Sequence, residues 1–447
     1  MNRFVPNCKT LRNRMLADIG VKNVEDLFAP VPEGIRLKTP LDLPPAMSEM
    51  ELVSEYNRLA RENTAAGLVC FRGAGSYDHF IPAAIDSILS RSEFLTAYTP
   101  YQAEVSQGTL QAIFEYQTMM ARLCGTQAAN AGMYDGASAV AEAALMAIRI
   151  TGSGRVLVSG SMNPLYMSVL KTYLEPGGFQ INEVPFHADG TIDLAAAEAL
   201  MEGGAAAILL QSPNYFGIIE EIAGASELAR ANRALLVAAA DPVSLGILKA
   251  PGSLGADIVV GEGQPLGIPM GYGGPYSGFL ATSTEHLRKM PGRIIGRTED
   301  RAGNTGFVMT LQTREQHIRR EKATSNICTN QALMALANAV YLTLTGEQGF
   351  REIARQCWNK AHYLEEKLLE IGCERVFNAP FFREFALRLP GSAADLEMKL
   401  IEKGYLPGLP LPGFGKGAML FAVTEKRTRD EMDAFVRAIS EECREVS

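Results

Sequence analysis

Two segments carry polar side chains where the surrounding sequence is small and apolar. Asp241 ends the run ALLVAAAD, and a carboxylate at the end of a buried strand is costly unless it has a partner. It could hold a protonated ring nitrogen, or it could begin the turn that follows. Residues 134–138 (YDGAS) precede an Ala-rich helix, where Gly136 and Ser138 suit an anion at a helix N-terminus. Asp135 would repel that anion, and an ordinary helix cap explains the segment equally well.

Both segments lie in residues 101–345, where helix and strand signals alternate. Short apolar runs bounded by Gly, Pro, Asp or Ser are typical of buried parallel strands, and the chain has RVLVSG, AAAILLQ, ALLVAAA, ADIVVG and GFLAT. Helical segments between these runs complete βαβ units. Since ligands of such sheets lie beyond the carboxyl ends of the strands, we expect Asp241 and the residues after ADIVVG to share a site.

Two further regions flank this large α/β domain. Residues 1–100 are predicted to form an N-terminal helical extension, with Pro-rich interruptions and a capping-box pattern that begins at Ser48. This extension is too polar to fold alone, so we expect it to wrap another surface. Residues 346–447 are predicted to form a smaller C-terminal α+β domain.

Composition excludes several classes of protein. The chain has 447 residues, 47% hydrophobic, and a net charge of -8, which is unlike disordered chains and unlike binders of nucleic acid. No apolar run is long enough for a membrane span, and the N-terminal MNRFVPNCKTLRNRML lacks the apolar core of a secretory signal. Seven scattered cysteines indicate a reduced, cytoplasmic setting. The histidines form no i, i+3 or i, i+4 pair, so we expect no metal site.

A large α/β domain followed by a small α+β domain is a common plan of enzymes that use pyridoxal phosphate (PLP). Such enzymes need a carboxylate at the pyridinium nitrogen, a helix N-terminus for the phosphate, and a lysine that forms a Schiff base. Asp241 is the candidate for the first requirement, and Gly136 with Ser138 for the second. The sequence therefore predicts an α/β fold of the PLP-dependent transferase-like type (fold type I), with a mainly parallel sheet.

The lysine is missing from the position where this plan needs it. The segment after ADIVVG reads GEGQPLGIPMGYGGP, and Gln264 stands at the expected place. Lys249, Lys289 and Lys322 do not follow this strand. An amide nitrogen is not nucleophilic, so we predict a PLP-type fold that cannot hold PLP covalently.

Three long segments resemble the P-protein of the glycine cleavage system, in particular the separate N-terminal subunit found where that protein is split in two. They are residues 73–118, 241–275 and 314–333, which include AYTPYQAE and REKATSNICTNQ. The similarity extends over essentially the whole chain. In this family the second half carries the PLP lysine in a segment of the form HKT..IPHGGGGP. Gln264 falls on that lysine, so the resemblance implies the same missing nucleophile.

The resemblance also implies a function and partners. The chain would be the half of glycine decarboxylase that does not bind PLP, and glycine dehydrogenase (decarboxylating) subunit 2 would carry the cofactor in an α2β2 assembly. Together they would decarboxylate glycine, release CO2 and pass the aminomethyl group to the lipoyl arm of H-protein, in a system with T-protein and L-protein. Two alternatives remain: a stand-alone PLP-dependent aminotransferase or desulfurase that uses another lysine, and a pure scaffold.

Six residues are candidates for the lining of a substrate channel or subunit interface. Tyr98, Tyr101 and Gln102 lie in TAYTPYQ, where tyrosines could present an apolar body and a polar tip to a buried interface. A basic stretch before the closing helix, which includes His317, Arg320 and Lys322, could steer the typically acidic H-protein. Packing between helices and an ordinary solvated helix face are the alternatives.

Overall fold

In the computed structural model of this chain, residues 8–327 and 329–444 are described, except for the side chain of Arg444. The chain forms two compact units, which divide after Thr64. We expected the N-terminal extension to reach residue 100. The division comes earlier, since residues from Ala65 onward belong to the second unit.

The first unit contains α1 (Lys9–Ile19) and α2 (Glu49–Glu62), joined by turns and extended chain. Ser48 caps α2 as predicted: its backbone N–H donates to Glu51 at 2.8 Å, and its hydroxyl accepts from the Glu51 N–H at 3.4 Å. Several large apolar side chains of this unit are exposed by 71–80%, namely Ile35, Leu37, Leu43 and Met50. That this segment cannot fold alone stays a prediction.

The second unit contains the sheet-forming part of the chain. Its strands are β1 (Val69–Cys70), β2 (Ala128–Ala129), β3 (Arg155–Ser159), β4 (Gln180–Val184), β5 (Ala207–Ser212), β6 (Leu235–Ala240), β7 (Ile258–Glu262), β8 (Gly278–Thr282), β9 (Ile294–Glu299), β10 (Thr305–Thr310), β11 (Glu374–Arg375), β12 (Glu384–Arg388), β13 (Tyr405–Leu406), β14 (Leu409–Pro410) and β15 (Ala418–Ala422). Its helices are α3 (Ala83–Leu89), α4 (Ser92–Leu95), α5 (Gln107–Cys124), α6 (Gly136–Thr151), α7 (Pro164–Leu174), α8 (Leu194–Leu200), α9 (Ile222–Ala231), α10 (Gln316–Arg319), α11 (Ala332–Glu370), α12 (Ala393–Glu402) and α13 (Arg429–Arg444).

A seven-stranded sheet with the order β2-β8-β7-β6-β5-β3-β4 forms the centre of this unit, and only β8 runs against the other strands within it. The five apolar runs identified in the sequence are β3, β5, β6, β7 and β8, so the predicted mainly parallel sheet is confirmed. Apolar side chains of α5, α9 and α11 pack on one face, and those of α6 and α7 pack on the other. Burial on both faces explains why these strands read as continuous apolar runs.

The C-terminal part has its own antiparallel sheet, in the order β11-β12-β15-β14, packed against α11, α12 and α13. The boundary expected at residue 345 falls inside α11, which continues to Glu370. That helix is kinked at Gly346, whose φ of 56° and ψ of -177° are not helical. No helix of the described residues combines the length and the apolar character that crossing a membrane requires.

Candidate functional site

The carboxyl ends of β6 and β7 bring three polar side chains to one buried place. Asp241 follows β6, Glu262 is the last residue of β7, and Gln264 follows shortly after. We call this place the internal pocket; its lining includes Tyr77, Tyr166, Asp241, Glu262 and Arg383. Gln264 is hydrogen-bonded to the backbone of Tyr77 beside it. Its free space of about 30 Å³ has room for a water molecule or two.

Asp241 is paired with Arg383, a residue that the sequence did not single out. Nη2 of Arg383 lies 2.7 Å from Oδ2 of Asp241, and the arginine side chain is 1% exposed. Its guanidinium lies over the ring of Tyr77, with 3.6 Å between Cζ and the ring centroid. Burial opposes the charge of Arg383, but Asp241 offsets it and the pKa of the guanidinium is raised overall. Asp241 also accepts from the Val243 N–H at 3.0 Å, so it holds the turn as well.

Contacts continue from Arg383 to His79 and Glu425. Nη1 of Arg383 donates to Nε2 of His79, and Nδ1 of His79 lies 2.5 Å from Oε2 of Glu425. Because a guanidinium can only donate, we assign the proton of a neutral His79 to Nδ1, which donates to Glu425. Burial opposes ionisation of Glu425, yet the hydrogen bonds from His79 and from the Phe80 N–H lower its pKa. A chain of polar contacts therefore runs from Asp241 to Glu425.

His79, Cys357 and Glu425 also have ligand atoms within 4.8 Å of one another, which is a spacing that a metal could use. The sequence could not show this cluster, because its members come from three distant segments. Arg383 argues against a metal here. A metal bound at Nδ1 would require the His79 proton on Nε2, where it would face the N–H of Arg383. The cluster therefore fits a hydrogen-bonded chain rather than a metal centre.

Gln264 has its amide fully engaged. Its Nε2 donates to the carbonyl oxygens of Tyr77 and Ile268 at 3.0 and 2.8 Å, and its Oε1 accepts from the Tyr77 N–H at 2.9 Å. The residue is 1% exposed. It fixes the segment around Tyr77 to the end of β7 and offers no nucleophile.

The N-terminus of α6 is occupied by a carboxylate of the chain itself. Oε2 of Glu262 accepts from the Gly136 N–H at 2.9 Å, and its Oε1 accepts from the N–H groups of Gln264 and Ser277 at 3.0 and 3.2 Å. Burial raises the pKa of Glu262 to about 7, although these three donors favour the charged form. Gly136 is needed because a Cβ there would lie 2.3 Å from the hydroxyl of Tyr166.

Ser138, a candidate anion donor, is hydrogen-bonded to the start of its own helix. Its N–H donates to Oδ1 of Asp135 at 2.7 Å, and its hydroxyl accepts from the Asp135 N–H at 3.1 Å. This reciprocal arrangement is a capping box. The ordinary cap was the alternative interpretation of this segment, and it is the one that the structure supports.

A second buried carboxylate, Glu384, faces the same pocket. Its Oε1 accepts from the Ala74 N–H at 2.6 Å and its Oε2 accepts from the Tyr77 hydroxyl at 2.7 Å. Burial raises the pKa of Glu384 to about 7, against the effect of these hydrogen bonds.

The residues of the internal pocket do not fit PLP. The carboxylate expected at the ring nitrogen is neutralised by Arg383, the place of the phosphate holds Glu262, and Gln264 stands where an amine is needed. The other lysines weighed in the sequence, Lys249, Lys289 and Lys322, are exposed and lie outside the pocket. Each of these three candidates, Asp241, Gly136 and Ser138, forms its ion pair or hydrogen bonds with other residues of the same chain.

Tyr98 and Tyr101 lie against the segment that contains His317, so two of the segments grouped by the sequence meet in space. The rings of Tyr101 and His317 are 6.0 Å apart in edge geometry, and Cζ of Arg293 lies 5.6 Å from the Tyr101 centroid. The hydroxyl of Tyr98 lies 3.2 Å from Oγ1 of Thr329. Tyr98 and Tyr101 are 75% and 52% exposed. We call Tyr98, Tyr101, His317 and Thr329 the polar-aromatic surface; Arg293 is only 6% exposed and is not counted in it.

The remaining candidates are exposed and lie apart from these ring contacts. Gln102 precedes the short turn Ala103–Val105. Arg320 has a φ of 53°, which is uncommon for a residue other than glycine. Lys322 lines a separate cleft of about 210 Å³ together with Arg288, Arg314 and Arg319.

Sequence reasoning missed Arg383, Glu384 and His79, and it included Glu262 only as one of the residues after ADIVVG. One signal was available, since Arg383 and Glu384 are adjacent charges at the start of the apolar strand in FFREFALRLP. Such charges need partners when the strand is buried. The identity of those partners depends on contacts between distant segments, which spacing along the chain does not reveal.

Comparisons with known proteins give the family. The family model described as glycine cleavage system P-protein matches residues 2–439. The chain is 53% identical to the probable glycine dehydrogenase (decarboxylating) subunit 1 of Chlorobium limicola over 439 residues, 98% of this chain and 99% of that protein. It is 51% identical to the protein of the same name from Desulforamulus reducens over 436 residues, 96% and 98% of the two chains.

Solved structures agree with this result. The crystal structure of an inhibitor-bound glycine decarboxylase (P-protein) of the glycine cleavage system matches with a TM-score of 0.90 and 44% identity, over 98% of this chain and 99% of that one. A sphingosine-1-phosphate lyase of Burkholderia pseudomallei (TM-score 0.67, 14% identity, 93% and 95% covered) and an alanine–glyoxylate aminotransferase of Nostoc (0.61, 15%, 90% and 97%) share the fold. The fold is thus fold type I, and the chain belongs to the glycine cleavage system P-protein family.

Proposed function

We propose that this chain is the subunit of a two-chain glycine decarboxylase that does not carry PLP. The observation that supports it is Gln264 at the lysine position, with its amide fixed by three hydrogen bonds inside a pocket that Glu262 and Arg383 already fill. Relatives named subunit 1 cover the chain almost completely, and such a name requires a second subunit. The PLP-bearing subunit of this proposal is glycine dehydrogenase (decarboxylating) subunit 2, in an α2β2 assembly.

In this proposal the assembled enzyme is cytoplasmic and works with H-protein, T-protein and L-protein. It decarboxylates glycine and transfers the remaining aminomethyl group to the lipoyl arm of H-protein. PLP on the partner supplies the electron sink for the decarboxylation. A subunit with no nucleophile of its own contributes by shaping the site, by excluding water and by receiving the carrier protein.

The polar-aromatic surface is the part of this chain that we assign to those tasks. Tyr98 and Tyr101 expose aromatic faces with hydroxyl groups, as buried interfaces favour. His317 lies beside Tyr101 and is 42% exposed, and a basic group there would attract an acidic carrier; Arg293 on the same ring is buried and faces Glu315. Arg320 and Lys322, which are exposed on the following segment, would extend that attraction.

The proposal is tested with the two subunits purified separately and then mixed. The chain alone is expected to be colourless, to keep no cofactor after borohydride treatment, and to release no labelled CO2 from carboxyl-labelled glycine. The mixture with subunit 2, PLP and lipoylated H-protein is expected to release it. Subunit 2 alone is the control. Release of labelled CO2 by this chain alone would overturn the proposal and favour a stand-alone PLP enzyme.

A further inference from the structure

Glu262 occupies an anion site built from backbone groups. The N–H groups of Gly136, Gln264 and Ser277 converge on its two oxygens at 2.9–3.2 Å, and Gly136 begins a helix of 16 residues. Convergent backbone donors at a helix N-terminus bind phosphates and carboxylates. An apolar residue at 262 would leave these three buried donors unpaired, which explains a glutamate although burial raises its pKa to about 7.

Arg383 occupies a matching cation site on the other side of the pocket. Asp241 lies 2.7 Å from one guanidinium nitrogen, and the ring of Tyr77 lies 3.6 Å below the guanidinium carbon. A carboxylate at the edge and an aromatic ring at the face together favour a flat cation with delocalised charge. A protonated heterocyclic ring has the same shape and charge.

We propose that Glu262 and Arg383 are built-in replacements for the phosphate and the protonated ring of a cofactor, so that the pocket binds a free oxyanion or a free planar cation once either side chain is removed. This inference rests on the proposed function, because it takes the chain as a subunit without PLP. The internal pocket is thus a complete binding site whose ligands are part of the polypeptide.

The oxyanion half is tested with Glu262→Ala in the full-length chain. Titration calorimetry with inorganic phosphate, and separately with formate, is expected to give a Kd at least about tenfold below that of wild type, with a matching rise of Tm. Glu262→Gln fills the same space and is the control that should gain no affinity. Equal affinity of Glu262→Ala and wild type for both anions would overturn this half.

The cation half is tested with Arg383→Ala and guanidinium chloride at millimolar concentration, with sodium chloride at equal ionic strength as the reference. Guanidinium is expected to raise the Tm of this variant and not that of wild type. Arg388→Ala is the matched control, because Arg388 ends β12, the strand that Arg383 directly precedes, but is 46% exposed. A Tm that rises equally in Arg383→Ala and Arg388→Ala would overturn this half.

Folding of the single variants is itself informative. If Arg383→Ala does not fold, the double variant Arg383→Met with Asp241→Asn removes both charges of the ion pair, so that neither is left unpaired. We expect this double variant to fold. A double variant that also fails to fold would contradict the pairing. These measurements use neither glycine nor subunit 2, so their results do not depend on the result that tests the proposed function.

Discussion

The internal pocket and the polar-aromatic surface differ in how their polar groups are satisfied. In the pocket, Asp241, Glu262 and Gln264 each bind groups of the same chain, and little free space is left. At the surface, Tyr98 and Tyr101 are more than half exposed and make only a few polar contacts within the chain.

This difference indicates that the pocket contributes mainly to the stability of the chain and the surface mainly to its function. A pocket whose charges are all matched internally has nothing to offer a ligand, whereas exposed aromatic and basic groups have faces to offer a partner. We therefore expect substitutions in the pocket to affect mainly the folded chain, and substitutions at the surface to affect mainly the assembled enzyme.

The largest effect is expected from Arg383→Met. This change leaves Asp241, whose side chain is 11% exposed, with no cation, and breaking a buried ion pair costs about 3–5 kcal/mol of stability. Urea unfolding followed by circular dichroism measures the loss. The control is Arg388→Met, which should change stability by less than about 0.5 kcal/mol because Arg388 is exposed. Similar losses of stability in the two variants would contradict the expected difference between the buried Arg383 and the exposed Arg388.

The next effect is a loss of stability as pH rises. Glu262 and Glu384 have pKa values of about 7 in the folded chain, above their unfolded value of 4.5, so the folded chain holds these protons more tightly. The stabilising contribution is fully present below pH 4.5 and is lost as pH rises through 7, by roughly 3 kcal/mol for each group. Denaturant unfolding between pH 5 and 8 measures the slope, and Glu384→Gln should flatten it. A slope unchanged in that variant would contradict the assignment.

Gln264→Lys is expected to have a smaller cost and to create no cofactor site. The change removes the acceptor of the Tyr77 N–H, and an unpaired buried donor costs about 1–3 kcal/mol. Glu262 and Arg383 still fill the places of phosphate and ring, so we expect no absorbance of bound PLP and no borohydride-fixed adduct. A yellow Gln264→Lys protein would contradict this expectation, because it would show that the pocket of the variant binds PLP.

The smallest effect on the free chain is expected at the surface. Tyr98→Phe and Tyr101→Phe remove only exposed hydroxyl groups, so the stability of the chain should stay within about 0.5 kcal/mol of wild type. In the assembled enzyme each change should lower kcat/KM with H-protein by several-fold, up to about tenfold, the value of one hydrogen bond. Wild type is the reference for both variants. Unchanged kinetics in both tyrosine variants would favour a pure scaffold.

The sequence predicted the sheet well, because strands buried on both faces must be apolar throughout, as β5, β6 and β7 are. It did not predict the β9–β10 hairpin, whose strands are partly exposed and mix Gly, Thr and charged residues. It singled out Asp241 and Gln264, which the structure places after the ends of β6 and β7. It could not locate Arg383 or Glu262 as their counterparts, since these pairings depend on how distant segments pack.

The kink at Gly346 gives α11 two arms with different attachments. On the first arm, the Asn338 amide donates to the carbonyl oxygens of Gly263 and Leu266, both at 2.9 Å. On the second arm, Nζ of Lys360 donates to the carbonyl oxygen of Glu425 at 2.5 Å. The two arms of one kinked helix therefore contact the segment after β7 and the residue Glu425. A side chain at position 346 would have room, because nothing lies within 4 Å of a Cβ placed there. The backbone conformation at this position strongly favours glycine, however, so a substitution would strain the backbone and change the angle between the two arms.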